Sequence, residues 1–494
     1  MRKKQWSVLL IALLLTLALA LPVSAGQEGN AAVGVQIQNK TTGSIDINTL
    51  SYPQDGSAAE AVGSTISVPA ESAFHYYIPV YDLKPGKSAL VVSSTGSAGG
   101  IARTDWSGQN GAAIYSTTEA NPSVLVSLVL AKYAGQTSEI TVQNTNTAAD
   151  INDVKLTLYA RGSSTPQKVV ENQSIAKGTS KSWNIGDTNV WGSLPDTGEG
   201  TTGFVGSMLI ESATPLVVQS FIDIAGTSGV TGFTGVSSSS ADSKVYCPLI
   251  RANYYGDTGM SIVNNNGSAA TVDITFRADP ASPEQGTFTQ QVNVAANSSS
   301  VVFQGPTGDS RNAPTNLPAG SGQNGGSTAL TNNGFYGTAE LSSTQPILVV
   351  VNDTEFGSGF SVLGQSTYNC APASAAAQKH YLPLLRNGHV PNQRLTTGVQ
   401  VFNVSDSASS AELKLTNGWN GAAAPSPAAK SMAAKGAANF YGGDWTGLAT
   451  DPGTGTGWFG AGIITCDQDC IVIVSDESTG PVKLDRANYN GIVQ

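Results

Sequence analysis

Val35-Gln36-Ile37-Gln38-Asn39 returns along the chain as Ile140-Thr141-Val142-Gln143-Asn144, as Met260-Ser261-Ile262-Val263-Asn264 and as Val399-Gln400-Val401-Phe402-Asn403. Each copy keeps an apolar residue at every second position and ends in Asn. After a few polar turn residues a second alternating segment follows: Ile45 to Ile47, Val154 to Leu158, Val272 to Phe276 and Ala411 to Leu415. A period of two bounded by turn residues marks strands with one face in a core. Each copy is therefore expected to form a pair of neighbouring strands.

Two further signatures keep step with the first. Val68-Pro69-Ala70-Glu71-Ser72, Ile175-Ala176-Lys177-Gly178-Thr179, Val294-Ala295-Ala296-Asn297-Ser298 and Met432-Ala433-Ala434-Lys435-Gly436 begin 29, 31, 30 and 29 positions after the repeat's Asn. A third signature reads as a closing β-hairpin: Gly206 to Ile210 with Leu216 to Ser220, Thr338 to Leu341 with Ile347 to Asn352, and Ala461 to Ile464 with Ile471 to Val474. The first copy has a weaker form, Ser88 to Val92 with Ile101 to Thr104. Asn39, Asn144, Asn264 and Asn403 lie in phase with the inward residues, where a carboxamide bonds turn backbone and satisfies polar groups that would otherwise be buried unpaired.

Three copies open with an additional strand: Val124 to Leu130, Val245 to Ile250 and His380 to Leu385. Its prolines, Pro248 and Pro383, point to an edge position. About seven short strands per unit fit an immunoglobulin-like sandwich. The chain resembles the tandem Ig-like repeats of bacterial cell-surface and adhesin-type proteins. The expected fold is all-β: a signal peptide over 1–25, then four tandem immunoglobulin-like β-sandwich modules over 26–122, 123–243, 244–378 and 379–494. The first module lacks a leading strand, because only Gly26 to Ala32 precede its repeat.

Arg2, Lys3 and Lys4, the apolar run from Val8 to Leu21 and the small residues up to Ala25 predict a secretory leader cut before Gly26. No later segment is long and apolar enough to span a membrane as a helix. Charged residues make up 12% of the chain while Gly numbers 55, a composition of strands and turns rather than of helices with Glu and Lys faces. The net charge of −10 argues against nucleic acid, whose phosphates require clustered Lys and Arg.

Four cysteines in an exported chain allow three disulfide pairings. Cys466 and Cys470 flank the tip of the last third signature and are expected to pair locally. Cys247 opens the third unit and Cys370 ends it, so their bond would close that module.

No motif carries catalysis. Leu194-Pro195-Asp196-Thr197-Gly198 looks like a sorting signal but stands nearly 300 residues from the C-terminus, and Gly455 to Gly460 looks like a dinucleotide fingerprint but precedes a strand. His75, His380 and His389 have no spacing that suggests a triad. Asp187 and Asp451 sit in acidic turns without the spacing of an EF-hand. No metal or cofactor is expected.

Insertions collect at one equivalent position, from Gly186 to Gly203, Gly305 to Gly334 and Gly442 to Gly457. Loops on a rigid sandwich are where binding is carried, and Trp191, Trp445 and Trp458 are candidate stacking platforms for sugar rings. The expectation is a secreted, non-catalytic structural or adhesive protein, a semi-rigid rod of modules that contacts surface glycans or other copies of itself, with head-to-tail strand addition between copies. The alternative is a carbohydrate-binding protein or accessory module that uses those tryptophans.

Overall fold

Each repeated Asn ends a strand: Ala31–Asn39, Gln136–Asn144, Asp257–Asn264 and Leu395–Asn403. The structure is a computed structural model that describes residues 17–23, 31–81, 83, 86–106, 111–198, 202–224, 230–304, 332–356, 362–479 and 486–493. In it the carboxamide nitrogen of Asn39 donates to the Val68 carbonyl at 3.1 Å, that of Asn144 to Ile175 at 3.2 Å, that of Asn264 to Val294 at 3.3 Å and that of Asn403 to Ala433 at 2.8 Å. Those carbonyls belong to the second signature. The constant spacing thus has a direct cause, since one fully buried side chain ties the two signatures together. The carboxamide oxygen accepts the backbone N–H two residues on, at Thr41, Asn146, Asn266 and Ser405. The fourth residue of the second signature, Glu71, Gly178, Asn297 or Lys435, takes a positive φ of 48 to 70° and closes the facing turn.

The same strand pairing recurs four times in chain order. In the second unit one sheet runs Pro166–Ile175, Ile151–Ala160, Phe204–Ile224, Asn121–Ala131 and Val236–Ser237; the other holds Ser180–Asn184, Gln136–Asn144, Phe204–Ile224 and Val230–Thr234. Phe204–Ile224 belongs to both. Its first half pairs with Asn121–Ala131 and Ile151–Ala160, its second with Gln136–Asn144 and Val230–Thr234. Asn332–Phe356 and Trp458–Ser478 do the same in the third and fourth units. In the first unit this crossover is split into Ser88–Ser94 and Ala98–Trp106, one in each sheet.

Two expectations are corrected here. The third signature is not a hairpin but a strand that turns a corner from one sheet to the other, as strands do at sandwich corners. Likewise the two strands of the first signature lie in opposite sheets: Gln136–Asn144 pairs with Ser180–Asn184 and the crossover, never with Ile151–Ala160. Alternation reports that a strand has a buried face, and it is silent on which strand lies beside it.

In the leading strands the register shifts between Cys247 and Ile250 and between Leu382 and Leu385. Pro248 and Pro383 therefore sit at bulges, where a missing N–H breaks no ladder bond. Beyond each leading strand lies a two-residue strand, Ala371–Pro372 or Ile492–Val493.

The units do not form a rod. The last strand of each unit, Gly111–Ser116, Val230–Thr234, Val362–Asn369 and Arg486–Asn490, touches its counterparts in the preceding and following units, and the fourth touches the first. The chain closes into a ring. The seams differ in chemistry. Between units one and two Tyr115 meets Phe221 edge to face at 5.7 Å. Between two and three Ser261 donates to the Ser127 carbonyl at 2.7 Å, and the Thr231 and Thr367 hydroxyls are 3.1 Å apart. Between three and four Arg251 pairs with Glu477 at 3.1 Å, and Arg486 lies 3.4 Å from Glu355. Between four and one the buried Asp476 takes Arg103 at 2.6 Å and Arg386 at 3.0 Å. Val493 lies in this last seam, where Lys40 donates to its carbonyl at 2.9 Å.

Candidate functional site

Where the four last strands converge on the ring axis, they end in equivalent residues: Ser116, Thr234, Asn369 and Asn490, opposite Ile101, Gln219, Val350 and Ile473. These side chains form a relay around the axis. The Thr234 hydroxyl donates to the Ser116 carbonyl at 3.3 Å, Asn369 to the Thr234 carbonyl at 2.7 Å and Asn490 to the Asn369 carbonyl at 2.8 Å. One residue earlier stand Tyr115, Phe233, Tyr368 and Tyr489, all buried. The Tyr368 hydroxyl donates to the Leu249 carbonyl and that of Tyr489 to the Leu384 carbonyl, which fixes the leading-strand bulges against the axis.

The relay rims a cavity of about 270 Å³ lined by residues 114–118, 233–236, 367–372 and 488–493 together with Ala375, His380, Ile471 and Val472. No Asp, Glu, Lys or Arg lines it. The His380 Nε2 lies 3.0 Å and 2.8 Å from the Ala377 and Cys470 carbonyls and so carries the proton, and burial holds the imidazole below its ordinary pKa. The site is uncharged at neutral pH. The carboxamide oxygens of Asn369, Asn488 and Asn490 and the His380 Nδ1 are buried without a hydrogen-bond partner. Such a wall accepts hydrogen bonds from a neutral molecule that brings O–H or N–H donors.

The three tryptophans lie elsewhere and are buried. Trp191 is 3% exposed and donates its indole N–H to the Asn184 carbonyl at 3.0 Å. Trp445 and Trp458 are 6% and 1% exposed and meet edge to face, with Trp458 bonded to the Asn417 oxygen at 2.9 Å. None offers a ring face to a sugar. Trp191 belongs to the core of the second unit, and Trp445 and Trp458 to the core of the fourth. Residues 305–331 of the third unit's loop lie outside the described residues.

Cys247 is bonded to Cys370, with Cα atoms 4.6 Å apart, and ties the leading strand to the end of the last strand. Cys466 is bonded to Cys470 across the corner of the crossover. Asp187 caps the short turn Thr188–Trp191, and Asp451 takes the backbone N–H groups of Gly453 and Thr454. His389 lies 3.1 Å from Asp451, but the other ring nitrogen, Nδ1, has no hydrogen-bond partner. The same carboxylate oxygen also takes the Thr454 hydroxyl at 2.8 Å. His75 packs against Phe459 at 4.7 Å in the seam between units four and one. Among the described residues no cluster of three or more His, Cys, Asp or Glu could hold a metal ion, and no helix is long and apolar enough to cross a membrane.

The axial cavity was not foreseen from the sequence. The only trace of it is the polar residue that follows Tyr or Phe at Ser116, Thr234, Asn369 and Asn490.

No family model and no curated protein matches the sequence. Among solved structures, Thermotoga maritima 1070 resembles 27% of this chain over 95% of its own length at 12% identity and a TM-score of 0.18. A glycoside hydrolase family 32 structure from Bifidobacterium adolescentis aligns over 96% of this chain and 95% of its own at 9% identity and a TM-score of 0.13. Neither likeness bears on activity.

Proposed function

We propose that the chain is an exported, non-catalytic adhesive protein of the bacterial surface. In this reading its four Ig-like modules form a ring that grips neutral, hydroxyl-rich ligands such as surface glycans at the axis. The observation that carries it is the axial cavity: uncharged walls, aromatic residues beneath the rim, and buried carboxamide oxygens of Asn369 and Asn490 that lack donors. Hydroxyl groups of a sugar would supply those donors, and the relay holds the carboxamides in place. The disulfides fit an oxidising compartment, and the leader reading of residues 1–25 supplies the export route.

The test is a glycan array probed with the purified protein and with Asn369→Leu and Asn490→Leu, which keep the size of the side chain and remove its acceptor. Binding that both variants weaken at least tenfold supports the reading. An array without binding, or binding unchanged in both variants, ends it.

A further inference from the structure

The first unit has a leading strand after all, and it comes from the predicted leader. Leu17–Val23 pairs antiparallel along the whole of Ser88–Ser94, with Leu17 opposite Ser94, Leu19 opposite Val92 and Val23 opposite Ser88. The corresponding contacts in the other units are Val124 opposite Ile210, Val245 opposite Leu341 and His380 opposite Ile464, each made by the unit's own leading strand. The match extends across the ring. Asn121–Ala131 lies against Asp257–Asn264 and Asn332–Phe356 of the next unit, Asp242–Tyr254 against Leu395–Asn403 and Trp458–Ser478, and Ala377–Asn387 against Ala31–Asn39 and Ala98–Trp106. Leu17–Val23 lies in the same way against Gln136–Asn144 and Phe204–Ile224. It occupies the fourth of four equivalent slots.

We infer that this slot, edged by Ser88–Ser94 and walled by the second unit, is a strand-acceptor site that Leu17–Val23 fills in the unprocessed chain and that an extended, uncharged, apolar strand of another polypeptide fills once that segment leaves. The acceptor edge, Ser88-Ala89-Leu90-Val91-Val92-Ser93-Ser94, holds no charge and no proline, so it lacks the features by which exposed edges usually avoid pairing. Its row of backbone N–H and C=O groups gives affinity to any strand, and the pattern of the four leading strands sets the preference for apolar residues. Departure of the segment rests on the export reading, whereas the acceptor itself does not.

The experiment uses the full chain with a specific protease site placed within residues 24–30, cut after folding. A labelled peptide of residues Leu17–Val23 flanked by lysines is then added, alongside the same peptide methylated at its backbone nitrogens. The expected result is saturable binding of the unmodified peptide to the cut protein, at least tenfold weaker binding to the uncut protein, and at least tenfold weaker binding of the methylated peptide. If the unmodified peptide does not bind the cut protein, or the methylated peptide binds equally well, the acceptor site is refuted. The intact mass of the exported protein reads separately whether the chain begins at Gly26, so loss of the export reading and loss of the slot are distinguishable.

Discussion

Asn264 shows how much one side chain holds in this fold. Its side chain is 0% exposed; its nitrogen reaches the Ser268, Val294 and Ala295 carbonyls and its oxygen accepts from the Asn266 backbone. Asn264→Ala removes these bonds at once and leaves the buried Val294 carbonyl without this partner, and a cost of about 2 to 4 kcal/mol is expected, read as a lowered urea midpoint. A second residue links stability to acidity. Burial, and then the positive charge of Arg386, push the His75 pKa down to about 3. The folded state therefore excludes a proton that the unfolded chain binds below pH 6.5. Stability is complete above that pH and falls as pH drops from 6.5 towards 3, by up to about 1.4 kcal/mol per pH unit. His75→Phe is expected to flatten that slope in denaturation curves measured at successive pH values.

Among the elements, a crossover strand joins the two sheets in the second, third and fourth units, and the two disulfides brace the third and fourth differently. Cys247 and Cys370 are 123 residues apart, so their bond restrains nearly the whole third unit in the unfolded chain. Replacing both with Ala is expected to cost about 2 to 5 kcal/mol. Cys466 and Cys470 are 4 residues apart and restrain little, so the same replacement there should cost clearly less. Calorimetry of the two double variants checks the order. Equal losses would mean that the corner bond acts through the folded state.

For the whole molecule, ring closure depends on the seams of the fourth unit. Asp476 receives Arg103, Arg386 and the Thr397 hydroxyl in a site closed to solvent. Asp476→Ala leaves two buried guanidinium groups without this partner and is expected to cost about 3 to 5 kcal/mol. Because Arg103 comes from the first unit, the ring should open there. Small-angle scattering reads that as a rise above the radius of gyration of roughly 23 Å expected for a compact chain of this length. Acid should loosen the neighbouring seam too. Burial alone would raise the Glu477 pKa, but Arg486 and Arg251 outweigh it and hold it at about 2. The stability it contributes is present above its ordinary value near 4.5 and is lost as pH falls from there towards 2.

Strand positions, the structural use of the repeated Asn residues and the two cysteine pairs were all legible in the sequence alone. Each rests on period-two alternation, a recurring spacing or a position within a repeat, and these survive whatever the strands pack against. Partnership was not legible. The same alternation fits a hairpin or a corner, and only the packed sheets separate Gln136–Asn144 from Ile151–Ala160. Trp191 in a polar loop fits a stacking platform or a core residue alike, and only the packing places it in the core. The ring itself joins Arg103 to Asp476 across 373 positions. The residue that corresponds to Asp476 is Asp353 in the third unit, where it faces Arg251 and Arg486, but Thr104 and Ile222 in the first two, so the repeat carries the carboxylate without telling which unit's arginine meets it. The axial cavity exists only because four strand ends meet, and that meeting is decided by which surfaces close together once every unit has folded.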